Sequence, residues 1–263
     1  MKWPKNLFLI RHDISAYNVL KDKKDKSALY NDFLFSFERD STSTKSIELA
    51  KEVEKRFALN VSDADTPLVD SLAFRAEEVG CSLRHKYKHI IPDVIFVSPY
   101  KRTKITLDGL IRGWPELQEL VHRGKIIEDY RIREQDRGLA GLYNDWRVFH
   151  TLHPEQKLFY EKTGSYWYTY PQGENIPDVR ERNRSWMNTI VRDYKEKNVL
   201  AVTHHLSILS VRTNLERWDA DRFIDTDQKN KPINCGVTLY QGNPNEGSEG
   251  HFNLQYYNRR FYK

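Results

Sequence analysis

Three short apolar runs, at residues 7–10, 93–97 and 198–203, each end abruptly in polar residues. Runs of this length, rich in Leu, Ile, Val and Phe, have the pattern of strands buried on both faces. Stretches with apolar residues at helical spacing separate them. Strands alternating with helices imply an α/β fold, a three-layer sandwich with a largely parallel central sheet. In such a sheet the carboxyl ends of the strands share one edge. Arg11-His12, the 98–102 segment and His204-His205 therefore converge although they lie far apart in sequence.

The helical spacing predicts a helix from Pro67 to about Lys88, with Thr66 as its cap and Leu68, Leu72, Ala76, Val79 and Leu83 buried. Further helices are expected over 101–111, over 177–197 and through Leu206, Leu209 and Leu215. Ile126 and Ile127 fit another strand, and 236–240 and 252–256 alternate as edge strands do. Residues 21–65 read as a polar, irregular and only partly helical insertion, broken at Ser41-Thr-Ser-Thr, with a helical pattern over 46–57. Residues 139–176 read as an aromatic-rich insertion that lines a cleft or forms a satellite core. The whole chain, 1–263, is expected to be a single domain carrying these two insertions.

Composition narrows the function classes. No apolar run approaches a membrane span, and the opening residues lack the apolar core of a signal peptide, so a cytoplasmic protein is expected. The two cysteines, Cys81 and Cys235, make neither a disulfide framework nor a metal motif and are expected as small core residues. The net charge of +5 arises from 42 basic residues intermixed with 37 acidic ones, which suits a small anionic substrate at least as well as nucleic acid, and no nucleic-acid partner is expected. The lysine-rich 21–26 segment reads as a solvated face. His150 and His153 lack the spacing and the Glu of a zinc site, and Ser98 lacks a nucleophile elbow.

Two arginines and two histidines on one edge suit an anion. Arg11 and Arg102 can each offer a forked, permanently charged set of donors to phosphate oxygens. A neutral imidazole can attack phosphorus through a ring nitrogen, and a second can hydrogen-bond the transferring group. Phosphoryl transfer demands mainly positioning and charge neutralisation, so such a pocket needs no metal and no cofactor. It does need a proton donor for the leaving oxygen, and Glu134 is the candidate.

The same residues fall into ordered motifs. Arg11-His12 with Ser15 and Asn18 resembles the Arg-His-Gly-x-Ser-x-x-Asn signature of the histidine phosphatase superfamily, phosphoglycerate mutase-like, branch 1. Ser98 to Thr106 through Arg102 resembles its Ser-x-x-x-Arg-x-x-x-Thr segment, and Arg133-Glu134 to Gly138 its Arg-Glu-x-x-x-Gly segment. Pro171-Gln-Gly173-Glu174-Asn175 is similar to its Pro-x-Gly-Glu-Ser turn, and Val202-Thr203-His204-His205 to its Val-Ser-His-Gly. The resemblance implies a phosphoglycerate mutase-like fold, with His12 as the nucleophile that becomes phosphohistidine. It implies Arg11, Arg102 and His204 as the rest of the phosphate pocket, Ser15 and Asn18 as further donors, and Glu134 as general acid and then base. Asp13 and His205 stand where the family has glycine, Ile14 where it has a polar residue, and Asn175 where it has serine.

The expected activity is hydrolysis of small phosphorylated metabolites by a histidine acid phosphatase-type phosphomonoesterase. Mutase-type phosphoryl transfer is the alternative within the family; the competing classes are a weakly active or non-catalytic phosphate-binding homologue, suggested by Asp13, and a basic nucleic-acid binder, suggested by the pI of about 9.0.

Overall fold

Successive residues of β1 (Asn6–Arg11) face opposite sides of a sheet, and both sides are buried. The computed structural model describes residues 2–70 and 73–263. The chain divides into two compact units, one of Met1–Ser15, Pro67–Glu134 and Val179–Lys263, the other of Ala16–Thr66 and Gln135–Asp178.

The first unit holds the sheet. Beside β1 it contains β2 (Val94–Val97), β3 (Ile126–Glu128), β4 (Asn198–Thr203), β5 (Val237–Asn243) and β6 (His251–Arg259), in the order β3-β2-β4-β1-β5-β6. The first four strands in that order are parallel to one another; β5 and β6 continue the sheet antiparallel. Phe8, Ile10, Ile95, Val97, Leu200 and Val202 pack under helices α4 (Phe74–Lys86) and α5 (Lys101–Gly113). On the opposite face Leu7, Leu9, Phe96, Val199 and Ala201 meet Trp186, Met187 and Ile190 of α9 (Ile176–Asp193) and Ile208 and Val211 of α10 (His205–Glu216). These are the three layers expected from the sequence, and burying each large aliphatic side chain contributes about 1.5–3 kcal/mol. Short helices α6 (Gln118–His122) and α11 (Ala220–Lys229) complete the unit.

The two helices on the first face approach closely because α5 ends in glycine and α4 carries another at the crossing. A Cβ on Gly80 would stand 2.5 Å from the Leu110 carbonyl oxygen, and one on Gly113 would collide with the Glu77 carbonyl.

In the second unit the segment expected to be irregular forms three helices, α1 (Ala16–Asp25), α2 (Ala28–Asp40) and α3 (Thr44–Arg56). The Ser/Thr run is a helix start rather than a loop: the Ser43 hydroxyl accepts the Ser46 N–H, as Ser27 accepts that of Tyr30 at α2. Lys24 is buried on α1, where its ammonium and the Tyr30 hydroxyl both meet the Asp145 carboxylate, so the lysine-rich segment is not wholly a solvated face. Phe33, Ala50, Val53 and Phe57 form a core with Val148 of α7 (Trp146–Leu152), which is followed by α8 (Pro154–Thr163).

Three further expectations need correction. The helix predicted from Pro67 begins only at Phe74. Val69 N–H instead donates to the Ile14 carbonyl at 3.0 Å and Leu68 bridges to Ser15, so extended pairing wins over local helix signals. The Thr66 hydroxyl donates to the Ser62 carbonyl instead of capping a helix, the Asp70 carboxylate accepts the Phe74 N–H, and Leu72 lies outside the described residues. Of the two cysteines, Cys235 is buried but Cys81 is exposed on α4, because its position falls outside the stripe formed by Ala76, Val79 and Leu83. The helix expected to reach Lys197 ends at Asp193.

Candidate active site

The register of the sheet brings three polar clusters to one edge. Arg11 pairs with Thr203 and Val97 with Val202, so His12, Ser98 and His204 all leave the sheet at its carboxyl end. His12 N–H still donates to the Thr203 carbonyl at 3.0 Å, which fixes the backbone of the turn.

His12 is buried, and its Nδ1 lies 2.6 Å from the Asp13 carbonyl oxygen. A carbonyl only accepts, so Nδ1 carries the proton and Nε2 keeps its lone pair. The His204 ring stands edge-on to it, with centroids 5.2 Å apart. His204 Nε2 is 2.7 Å from the Ser98 hydroxyl, while its buried Nδ1 has no partner among the described residues. Burial, then the cations Arg102 and Arg11, hold the His12 pKa well below the ordinary histidine value. Burial, then Arg102 and His12, do the same for His204. Both imidazoles are therefore kept neutral.

Arg102 enters from the first turn of α5 and is buried, with its guanidinium 4.8 Å from the Tyr100 ring. That ring in turn packs edge-on against His204, with centroids 5.0 Å apart. Arg11 donates from Nη1 to the Pro232 carbonyl at 2.6 Å, and its buried Nε has no partner among the described residues. Burial lowers the Arg11 pKa, and the Glu134 carboxylate opposes that shift. An anion beside these groups would satisfy buried donors that the protein leaves unpaired.

Glu134 is held by its backbone as well as its side chain. Leu206 N–H, in the first turn of α10, donates to Glu134 Oε1 at 3.2 Å. Arg182 donates to the carbonyls of Arg131, Arg133 and Glu134 at 2.7, 2.8 and 3.0 Å, and the Ser207 hydroxyl donates to the Arg133 carbonyl at 2.6 Å. The strand-end segment is thus clamped to α9 and α10.

Of the residues singled out from sequence, Arg11, His12, Arg102, Glu134 and His204 come together in the first unit. Ser15 is buried in the same unit and bridges to Leu68; Asn18 lies in the first turn of α1, in the second unit. Asp13 is paired: its Oδ1 accepts from Arg75 Nη1 at 3.1 Å and from Ile14 N–H at 2.7 Å. His205 Nε2 lies 2.6 Å from Asp227 Oδ1. Within the second unit, Gly138 abuts the 171–173 turn so closely that a Cβ would collide with the Pro171 carbonyl. Glu174 accepts the Asp136 N–H through Oε2 at 3.0 Å, so the third and fourth motifs are packed as one piece.

Several supporting residues escaped the sequence reading. Thr106, quoted only as the end of a motif, accepts the Asp13 N–H at 2.9 Å and donates to the Arg102 carbonyl at 2.7 Å. Asn234 donates to the carbonyls of His12 and Asp13 at 3.0 and 3.1 Å. Tyr100, Arg75 and Arg182 belong to no recognisable spacing, and only the fold shows their use.

The family model described as histidine phosphatase superfamily (branch 1) matches residues 60–253, so Arg11 and His12 precede the matched stretch. Two curated relatives from Arabidopsis thaliana are similar. Phosphoglycerate mutase-like protein AT74H is 30% identical over 138 residues, 49% of this chain and 45% of its own length. Phosphoglycerate mutase-like protein AT74 is 28% identical over 195 residues, 68% of this chain and 57% of its own. The chain thus spans about half the length of the curated relatives it matches. Among solved structures, mycobacterial glucosyl-3-phosphoglycerate phosphatase with inorganic phosphate superposes with a TM-score of 0.59 over 98% of both chains at 16% identity, a likeness of fold alone. With the match covering most of the sheet, both of its flanking layers and the Arg102, Glu134 and His204 segments, the chain belongs to the histidine phosphatase superfamily, branch 1.

Proposed function

We propose that the protein is a phosphomonoesterase that hydrolyses small phosphorylated metabolites through a phosphohistidine on His12. The observation that carries this reading is the His12 ring itself: Nδ1–H is committed to the Asp13 carbonyl, and the charges of Arg102 and Arg11 favour its neutral form. His12 Nε2 donates its lone pair to phosphorus as the ester P–O bond breaks. The Glu134 carboxyl gives its proton to the departing oxygen. Glu134, now a carboxylate, takes a proton from water as the water oxygen attacks phosphorus, and the N–P bond breaks to release phosphate. Arg11, Arg102 and His204 neutralise and hydrogen-bond the phosphoryl oxygens throughout, with Ser15 as a further donor.

The pairing of Asp13 with Arg75 supports catalysis over passive binding, since the carboxylate in the glycine position is compensated. The phosphatase name of the mycobacterial structural neighbour favours water as acceptor. The names of the plant relatives favour the mutase reading, in which a second substrate hydroxyl takes the phosphoryl group. A cytoplasmic setting, with no nucleic-acid partner, belongs to the same proposal.

Incubation with a radiolabelled aryl phosphate and an acid quench tests it. An acid-labile phosphoryl group on the protein, lost in His12→Ala together with turnover, is the expected result. Turnover that survives His12→Ala overturns the mechanism. Interconversion of phosphoglycerates with no net phosphate release would make the protein a mutase.

A further inference from the structure

A cavity of about 460 Å³ opens beside Arg11, on the side where its guanidinium meets the Pro232 carbonyl. Its volume falls within the range of small-ligand sites, about 300–1,000 Å³. Arg11, Arg75, Lys231, Arg260 and Lys263 line it, and no Asp or Glu is among its described lining residues. Arg75 is compensated by Asp13 and Arg11 is offset by Glu134, while Lys231, Arg260 and Lys263 add three further cations to the same lining. Like charges gathered around a cavity raise its potential and favour an anion there.

The wall is built and not a chance gathering of long side chains. Tyr262 stands between two of the cations, with the Arg75 and Arg260 guanidinium carbons 4.8 and 5.0 Å from its ring centroid. Its hydroxyl donates to the Asn234 carbonyl at 3.0 Å, and the neighbouring Lys263 N–H donates to Glu78 Oε2 at 3.0 Å. Asn234 in turn holds the carbonyls of His12 and Asp13. One hydrogen-bonded chain therefore links the cationic wall to the backbone of His12. Arg11 belongs to both places, facing the cavity and electrostatically coupled to Arg102 and Glu134, with its buried Nε unpartnered among the described residues.

From this arrangement we infer that the cavity is a second anion subsite and that the substrate is a small molecule carrying two phosphate groups. One is the ester placed at His12, and the other is held by Lys231, Arg260 and Lys263, with Arg11 between them. This inference rests on the proposed phosphatase reading and narrows its substrate class. No sequence motif marks the subsite, because its cations come from the ends of four separate segments.

Binding tests it independently of turnover. Isothermal titration compares α,ω-alkanediphosphonates, from ethane to hexane, with alkylphosphonates of the same chain length. Neither can be hydrolysed. The best diphosphonate is expected to bind about tenfold or more tighter than its monophosphonate, and the Lys231→Glu/Arg260→Glu double variant is expected to reduce that ratio to near one. Equal affinities in the wild type, or a ratio that survives the double variant, overturn the second subsite while leaving the His12 reading in place. If the monophosphonates do not bind, the His12 pocket reading fails; a diphosphonate that still binds and is weakened by the double variant supports the subsite alone. Both altered residues are exposed, and retained monophosphonate binding reports a folded variant.

Discussion

Asp13 Oδ1 and Arg75 Nη1 lie 3.1 Å apart, so the carboxylate that replaces the family's glycine is neutralised by a residue in the first turn of α4. The carboxylate is buried and the guanidinium is about one-third exposed (8% and 32% of side-chain surface). Removing one partner of a largely buried pair leaves a charge the site cannot solvate. Arg75→Gln is expected to raise KM for an aryl phosphate by about tenfold, through repulsion between Asp13 and the bound anion. Asp13→Asn in the same background keeps the Oδ1 acceptor for Ile14 N–H and is expected to restore most of the loss. Steady-state kinetics of the two single variants and the double variant provide the check, and an unchanged KM in Arg75→Gln contradicts it.

The depressed pKa values of His12 and His204 set the acid limb of the reaction. A histidine with a lowered pKa stays neutral as pH falls through the ordinary value of about 6.5 and gains its proton only well below it. The nucleophile is thus present in mildly acidic solution. A plot of kcat/KM against pH, corrected for the substrate's own ionisation, is expected to show its acid inflection below about 6.5. Arg102→Gln removes the largest charge opposing protonation of His12 and should move that inflection upward. An inflection at or above the ordinary value would contradict the neutral-imidazole mechanism.

What was legible in the sequence follows the physics of each element. Strands buried on both faces leave an unmistakable apolar run, and β1, β2 and β4 were readable with the polar residue that ends each one. The shared carboxyl edge of a parallel sheet then placed Arg11, His12, Arg102 and His204 together, and the need for a proton donor, with the family's motifs, added Glu134. The 21–65 segment misled because α1–α3 bury only narrow stripes and carry many charges, so polarity concealed regular helices. The Pro67 helix start failed because pairing of Leu68 and Val69 with the 14–15 segment is non-local, which no window of neighbouring residues reports. Arg75, Asn234 and Tyr262 act through partners far away in sequence, and nothing in their immediate neighbours marks them.

Glu134 is expected to matter in proportion to how badly the leaving group needs a proton. Its carboxylate is positioned by Leu206 N–H, and its backbone by Arg182. Glu134→Gln keeps the shape and an acceptor but has no acidic proton. Hydrolysis of an alkyl phosphate should fall by about a hundredfold or more, as for loss of a general acid. A nitrophenyl phosphate, whose leaving group departs as a stable anion, should lose less in the phosphorylation step. Burst kinetics separate that step from hydrolysis of the phosphoenzyme, and equal losses on both substrates would assign Glu134 another role.

Close approach of α4 and α5 depends on missing side chains. Gly80→Ala would set a methyl carbon 2.5 Å from the Leu110 carbonyl oxygen, a backbone atom within a helix that cannot yield alone. The helices must separate, loosening the layer over Ile95 and Leu200. Overpacking of this kind costs about 1–3 kcal/mol. Urea denaturation should show a lower midpoint with an unchanged slope, and an unaltered midpoint would mean that the two helices tolerate wider spacing.

His150 makes the second unit sensitive to acid. The residue is buried on α7 among aromatic rings, with Tyr160 at 4.8 Å and Phe149 at 5.4 Å between centroids, and neither ring nitrogen has a partner among the described residues. Burial, then the charge of Lys157, lowers its pKa to about 4, against weaker opposition from Glu161 and Asp145. In the unfolded chain the same imidazole takes up its proton near pH 6.5. Between those two values the unfolded state binds more protons, so stability is complete above about 6.5 and declines as pH falls towards about 4. Hydrogen exchange of α7 amides, corrected for the intrinsic pH dependence of exchange, should therefore show protection falling across this window. His150→Phe removes the titration and the two unpaired nitrogens together, and should flatten the dependence. If protection in α7 declines equally in both proteins, a different group controls the acid response.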